Sequence, residues 1–284
     1  MISPTRVFNP FDGVEFRLFG RPTDWNIRGL ESNRPPGRFV MGSYYDPISS
    51  VAFDAGVSRV LAPSPKSNTH IVGDEALGVE YHAESPSHPW RSVVICRGVS
   101  ADGVEIPGGN HAAFWLSSAD CLCVVALSPS GRLIGVHAGR DSLWDRAHVL
   151  NVAPRRKHAS VIDTMASRLG DEMSRSQFFL TCGIGAQNFS HPWDHPQHGA
   201  DNSKMTALFM RECGSGSVLG NPERGRLDLR NIATMQLLLH GVRQSNIGWD
   251  GINTFSDRDN GQPTWWSARR GDGTHRNGVL VYRV

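Results

Sequence analysis

The stretch Cys121-Leu122-Cys123-Val124-Val125-Ala126-Leu127 constrains this chain more than any other. It carries no charge and is rich in β-branched and apolar residues, so it reads as a central strand buried on both faces. Ser128-Pro129-Ser130-Gly131 follows as a hairpin-type turn, because proline and glycine supply the backbone angles a tight reversal needs. Arg132 to Val136 is the returning strand. Cys121 then begins one strand and His137, sixteen residues on, ends its neighbour. A thiol and an imidazole at facing ends of a hairpin can reach one point in space.

Around this hairpin the chain punctuates itself. Val14–Phe19, Ser92–Cys96, Phe178–Leu180 and Gly278–Tyr282 read as further short strands, with a turn at Gly108-Gly109-Asn110 and an exposed loop over 84–92. Val161, Ile162, Met165 and Leu169 recur at helical spacing between Ser160, a good N-cap, and Gly170, a good stop. Ile232, Met235, Gln236 and Leu239 mark a second helix, ended by Gly241. Strands and helices alternate without a strict βαβ rhythm, so the expected fold is α/β (α+β), a mixed sheet core flanked by helices. With no linker, repeat or low-complexity tract in 284 residues, one domain over 1–284 is expected.

Composition narrows the function classes. Lys plus Arg total 29 against 27 Asp plus Glu, and this near balance argues against a dedicated nucleic-acid binder. No apolar run approaches the roughly 18 residues of a membrane span. The opening Met1-Ile2-Ser3-Pro4-Thr5-Arg6 has no signal-peptide shape, so a cytoplasmic protein is expected. Five cysteines without a Cys-x-x-Cys pair give no disulfide framework.

Cys121 and His137 admit three readings from spacing alone: a zinc or other transition-metal site, a Cys-His nucleophilic dyad, or a core thiol beside a satisfied imidazole. A zinc site needs a further protein ligand, and His70 and His82 are the upstream candidates. The tract His191-Pro192-Trp193-Asp194-His195-Pro196-Gln197-His198 has a metal-binding composition, but its prolines mark an exposed insertion outside the active site.

Ala119-Asp120-Cys121 and His137-Ala138-Gly139 resemble the ADC and HAGWRG signatures of the YfiH-like family. That family is labelled multicopper polyphenol oxidase or laccase domain, and its members are better described as zinc-containing purine nucleoside phosphorylases. Ala101-Asp102-Gly103, Thr181-Cys182-Gly183-Ile184-Gly185, Leu227-Asp228-Leu229 and Trp265 to Arg270 follow the family's order, so the resemblance runs over about residues 14–284. It implies one Zn²⁺ on His70, Cys121 and His137, with His82 the alternative to His70. The substrates it implies are a purine nucleoside and phosphate, with adenosine deamination as a further activity and no nucleic-acid or membrane partner.

By motif position the resemblance makes Arg21, Arg140, Arg269 and Arg276 candidates for holding phosphate, a task that suits the fork of a guanidinium. Asp120 is a candidate for orienting a metal-bound imidazole or for capping the strand start. The chain departs from the family at several motifs, among them the early element, which Leu18-Phe19-Gly20-Arg21 matches only loosely, and the long separation from His70 to Cys121. The HAGWRG tryptophan is missing, Arg140 matches the motif arginine only with one residue deleted, and Asn253-Thr254 stands where Cys-Thr is usual. Trp115, Trp265 and Trp266 are the candidates to replace the lost ring. The glycine-flanked Thr181–Gly185 loop is either a tight turn or an anion cradle. Copper is the poorer fit, since multicopper chemistry uses paired histidines and no His-x-His occurs. Two competing readings are a Cys121 hydrolase with His137 as base, and a non-catalytic zinc or nucleoside binder.

Overall fold

The computed structural model describes residues 2–25, 39–40, 47–66, 69–73, 79–84, 92–97, 99–152 and 157–284; at 39–40, 79 and 81–84 it describes the backbone alone. Among these residues the strands form two large sheets and the short ribbon Arg258–Asp259 (β14) with Gln262–Pro263 (β15). Across the first sheet the order is Arg6–Phe11 (β1), Val14–Phe19 (β2), Asn277–Arg283 (β16), Ala113–Ser118 (β9), Arg59–Leu61 (β4), Ser92–Arg97 (β7), Val79–Glu84 (β6) and Phe39–Val40 (β3). Across the second it is Ile247–Trp249 (β13), Gln177–Thr181 (β12), Leu122–Leu127 (β10), Leu133–Ala138 (β11), Gly103–Ile106 (β8) and Ile71–Val72 (β5). Both sheets mix parallel and antiparallel pairs. The core expected as a mixed sheet is therefore two mixed sheets, packed face to face.

The hairpin predicted from sequence explains this stacking. β10 and β11 pair antiparallel with Leu122 opposite Ala138 and Cys123 opposite His137. Side chains alternate along a strand, so β10 serves two layers at once. Leu122, Val124 and Ala126 face helices Val161–Leu169 (α4), Gly199–Cys213 (α5) and Leu229–Leu239 (α6). Cys123 and Val125 face the first sheet, against Phe16, Phe114 and Leu116. On that sheet's far side Trp25, Val60, Trp115 and Leu280 pack on helix Pro47–Asp54 (α1). The result is four layers, helix–sheet–sheet–helices.

The two helices read from sequence form as expected. Ser160 and Asp163 make a capping box at the start of α4, and Gly170 ends it. Asp228 caps α6 through the Asn231 N–H. Helix α5 has no such sequence signal, because polar Asn202 and Thr206 sit buried on its inner face among Met205, Phe209 and Cys213. The apolar stripe that identifies a helix is broken by them. The described part of the 84–92 loop is Glu84 and Ser92, both at strand ends; the rest lies outside the described residues.

Gly135 on β11 shows how closely the sheets approach. A Cβ there would lie 2.3 Å from one ring carbon of Phe114 on β9 and 2.4 Å from another. Gly135→Ala should lower stability by about 1–3 kcal/mol through overpacking, read as a fall of several degrees in the thermal midpoint. An unchanged midpoint would contradict the sheet-to-sheet contact.

Candidate active site

The corner between the two sheets carries the site. After β9 ends in the first sheet, Ala119-Asp120-Cys121 turns the chain into β10 of the second. Asp120 takes a φ of +85°, a left-handed conformation that costs a non-glycine residue about 1–3 kcal/mol. Its surroundings hold it there. The Thr254 hydroxyl donates to Oδ1 at 2.8 Å, the Arg269 backbone N–H donates to Oδ2 at 2.8 Å, and the Ile184 N–H donates to its carbonyl at 2.9 Å. Asp120 thus pins three separate segments to the corner.

Four chemistry-bearing residues stand in a row at one end of the second sheet. Cys121 precedes β10 and His137 lies near the end of β11. Asp102 precedes β8, and His70 precedes β5. His137 donates its backbone N–H to the Asp102 carbonyl at 2.6 Å, and Asp102 donates its own to the His70 carbonyl at 3.1 Å. The Cys121 thiol and the His137 ring are in contact and lie over Gly139. A Cβ on Gly139 would come within 2.9 Å of Cys121 Sγ and 3.2 Å of His137 Cε1, so a side chain there would intrude on the pair.

Asp102 is fully buried, with Oδ1 3.3 Å from His137 Nδ1, an approach that lacks hydrogen-bond geometry. It accepts from the Lys66 N–H and the Ser142 hydroxyl, both at 2.9 Å. The carboxylate beside the imidazole is therefore Asp102; Asp120, the sequence candidate for orienting it, is committed to Thr254 and Arg269. Burial disfavours charge on His137, but Cys121 and Asp102 outweigh it and push its pKa up to about 10.

A thiol touching an imidazole that lies beside a carboxylate is donor chemistry that suits zinc. Two donors do not complete a site, however. Among the described residues no group of three or more His, Cys, Asp or Glu is placed to hold a metal. His70 stands two strands from His137, about 9–10 Å across a sheet. It is exposed and lines a separate cleft of about 460 Å³ with Lys157, His158 and Arg168. The backbone of His82 pairs with Val94 in the first sheet, and its side chain lies outside the described residues.

The sequence-predicted arginines divide. Arg140 opens the short helix Arg140–Leu143 (α2) immediately after Gly139, and its guanidinium lines a cleft of about 330 Å³. Arg269 lines the same cleft, above the Phe189 ring. Arg140 pairs with Asp141 at 2.6 Å; no carboxylate forms an ion pair with Arg269 among the described residues. Arg21 lies elsewhere, paired with Asp272 and resting on the Trp266 ring. Arg276 is half-buried, and its guanidinium donates to the carbonyls of Gly273 and His275. None of the candidate tryptophans lines the cleft. Trp115 and Trp265 are core, and Trp266 stacks between Arg21 and His275.

His191 is the residue that sequence reasoning misplaced. The tract read as lying outside the active site sends this ring between the two arginines. Its Nδ1 is 2.8 Å from Arg140 Nη1, and Arg269 Nη2 lies over the ring, 2.9 Å from Nε2 and 3.4 Å from Nδ1. His195 and His198 line the same cleft from its exposed side. The Thr181–Gly185 loop is a structural turn, since the Ile184 and Gly185 N–H groups donate to Asp120 and Asn253.

Burial, then the charges of Arg140 and Arg269, push the His191 pKa down to about 2. The unfolded chain binds a proton near 6.5 that the folded protein refuses, so stability falls as pH drops from 6.5 toward 2. In anion-free buffer His191→Asn should therefore lose less thermal stability than wild type between pH 7 and pH 5. Parallel pH profiles would contradict the placement of the ring.

A family model described as "Multi-copper polyphenol oxidoreductase laccase" matches residues 87–282. No curated protein matches the chain. Among solved structures, protein NMB0706 from Neisseria meningitidis is similar at 18% identity and a TM-score of 0.61, covering 98% of this chain and 97% of that one. YlmD from Geobacillus stearothermophilus is also 18% identical with a TM-score of 0.61, covering 97% and 94%. YfiH, a hypothetical protein of Bacillus licheniformis, is 15% identical with a TM-score of 0.58, covering 95% and 93%. These likenesses establish the fold, and the family model covers more than half of the sequence. The chain belongs to the multi-copper polyphenol oxidoreductase laccase family, the YfiH-like proteins.

Proposed function

We propose that this chain is a purine nucleoside phosphorylase, cleaving adenosine-type nucleosides with phosphate and carrying Zn²⁺ on Cys121 and His137. The observation that supports it most is the cleft in which Arg140 and Arg269 converge beside the Cys121–His137 pair, with no carboxylate paired to Arg269 among the described residues. Phosphorolysis needs phosphate held against C1′ of the sugar while the purine leaves. Two guanidiniums grip phosphate through paired N–H groups and stay charged throughout. Asp120 fixes the Arg269 backbone, and Gly139 joins Arg140 directly to the strand that carries His137. The Asp102 carboxylate lies 3.3 Å from His137 Nδ1.

The resemblance implies His70 as the third zinc ligand, which would require its ring to leave the separate cleft it lines, with His82 as the alternative. A bound zinc ion would supply a Lewis acid and a water with a pKa near 7, which is the chemistry adenosine deamination requires. Copper-dependent phenol oxidation, suggested by the family description, has less support from a chain without a His-x-His pair.

A second reading has its own observation. Cys121, His137 and Asp102 are arranged as nucleophile, base and orienting carboxylate. A cysteine hydrolase is distinguished by labelling of Cys121 with iodoacetamide in metal-free protein that remains active.

Purine release from adenosine should depend on phosphate. Arg269→Ala and Arg140→Ala should each raise the phosphate KM about 10- to 100-fold, the effect of losing a charge-assisted hydrogen bond, with the nucleoside KM little changed. Elemental analysis should find zinc in wild type and none in Cys121→Ser. Release that ignores phosphate, or variants that weaken nucleoside and phosphate equally, would overturn the assignment.

A further inference from the structure

A second cleft, of about 460 Å³, lies at the β5 edge of the second sheet, between that strand and α4. Its basic groups come from three separate segments. His70 stands before β5, Lys157 and His158 precede α4, and Arg168 belongs to α4 itself. No carboxylate among the described residues lines the cleft. Glu105 offsets part of the Arg168 charge from outside it, but shares that carboxylate with Arg132 at 3.3 Å.

The walls are fixed from within the protein. Arg168 donates from Nη2 to the Ile71 carbonyl at 2.8 Å and from Nη1 to Glu105 Oε2 at 3.3 Å. A guanidinium carries more N–H donors than these two bonds use, so the anchored group still has donors to offer. The Thr69 hydroxyl donates to the His158 carbonyl at 3.3 Å and ties the loop to the strand. The Ser160–Asp163 capping box then fixes the first turn of α4, just beyond His158. Lys157 and His158 contrast with this frame, because neither side chain has a partner among the described residues. Cations scattered on a convex surface stay solvated. Here they converge from three anchored segments on one concavity, so little ordering is left to oppose a ligand.

We infer that this cleft binds the phosphoryl group of a small phosphorylated molecule, gripped by Lys157 and Arg168 with His158 as a further polar contact. Two cations answer the charge of a phosphate monoester, and the arginine fork matches its oxygens. A single phosphate fills a minor part of 460 Å³, so the ligand carries an organic portion as well. Clefts of about 300–1,000 Å³ are the size that hold such molecules. His70 enters only as a wall. The inference therefore depends neither on a metal nor on the proposed phosphorolysis, which uses the cleft of Arg140 and Arg269.

The test is an amide ¹H–¹⁵N titration of the full chain with ribose 5-phosphate and, separately, with inorganic phosphate. With ribose 5-phosphate the amides of His158, Ser167 and Arg168 should shift along one binding curve. Lys157→Glu should weaken that curve about tenfold or more, the effect of losing a charge-assisted hydrogen bond. Arg243→Glu makes the same change of charge just before β13, at the opposite edge of the sheet, and should leave the curve unchanged. Both side chains are exposed, so neither substitution threatens the fold. Arg269→Ala should leave the curve unchanged as well. Equal weakening by Lys157→Glu and Arg243→Glu would reduce the binding to diffuse surface charge and overturn the inference. Shifts confined to residues around Arg140 and Arg269 would overturn it too. Tighter binding of inorganic phosphate than of ribose 5-phosphate at these amides would overturn the assignment to an organic ligand.

Discussion

The carboxylate of Asp120 ties the molecule together at its most demanding point. The chain must leave one sheet and enter another within three residues, and it does so through a left-handed conformation that a non-glycine residue adopts only when held. Thr254, Ile184 and the Arg269 backbone supply that restraint. The same hydrogen bonds deliver Arg269 to the cleft and set Cys121 at the mouth of β10. Structural strain and functional placement are thus one feature. A loss at Asp120 would disorder the turn and the Arg269 cleft together, and a kinetic defect alone would not make it a catalytic residue.

Register explains the remainder of the site. Pairing Cys123 with His137 brings the ends of β10 and β11 together, and pairing Gly103 with Val136 sets Asp102 beside His137. A slip of one residue would exchange the faces of β10 and turn Cys123 and Val125 away from the other sheet. The interior on both sides of that strand prevents the slip. Glycines at 135 and 139 mark where two other groups come close, the Phe114 ring in the first case and the thiol–imidazole pair in the second.

Much of this was legible in the sequence, and what was not has physical reasons. The central hairpin, α4 with its Ser160 cap, and the family motifs all rest on local patterns. Asp102 was visible as part of a motif, but its task depends on strand order, which no local pattern encodes. The same order puts Asp102 between His137 and His70, with the His70 ring on another cleft. His191 was obscured by composition, since a tract with prolines and three histidines reads as solvent-exposed loop, and for His195 and His198 that reading holds. Burial of one ring against Phe189 and two arginines is a tertiary event. Helix α5 escaped because Asn202 and Thr206 occupy inward positions that an apolar pattern would need.

The identity of the sugar product tests the account most directly. Adenosine and phosphate would be incubated with purified, tag-free protein and the products resolved by mass spectrometry. The account predicts adenine together with ribose 1-phosphate in equal amounts, both lost in Arg269→Ala at low phosphate. Free ribose, or no cleavage by a zinc-loaded wild type, would contradict it.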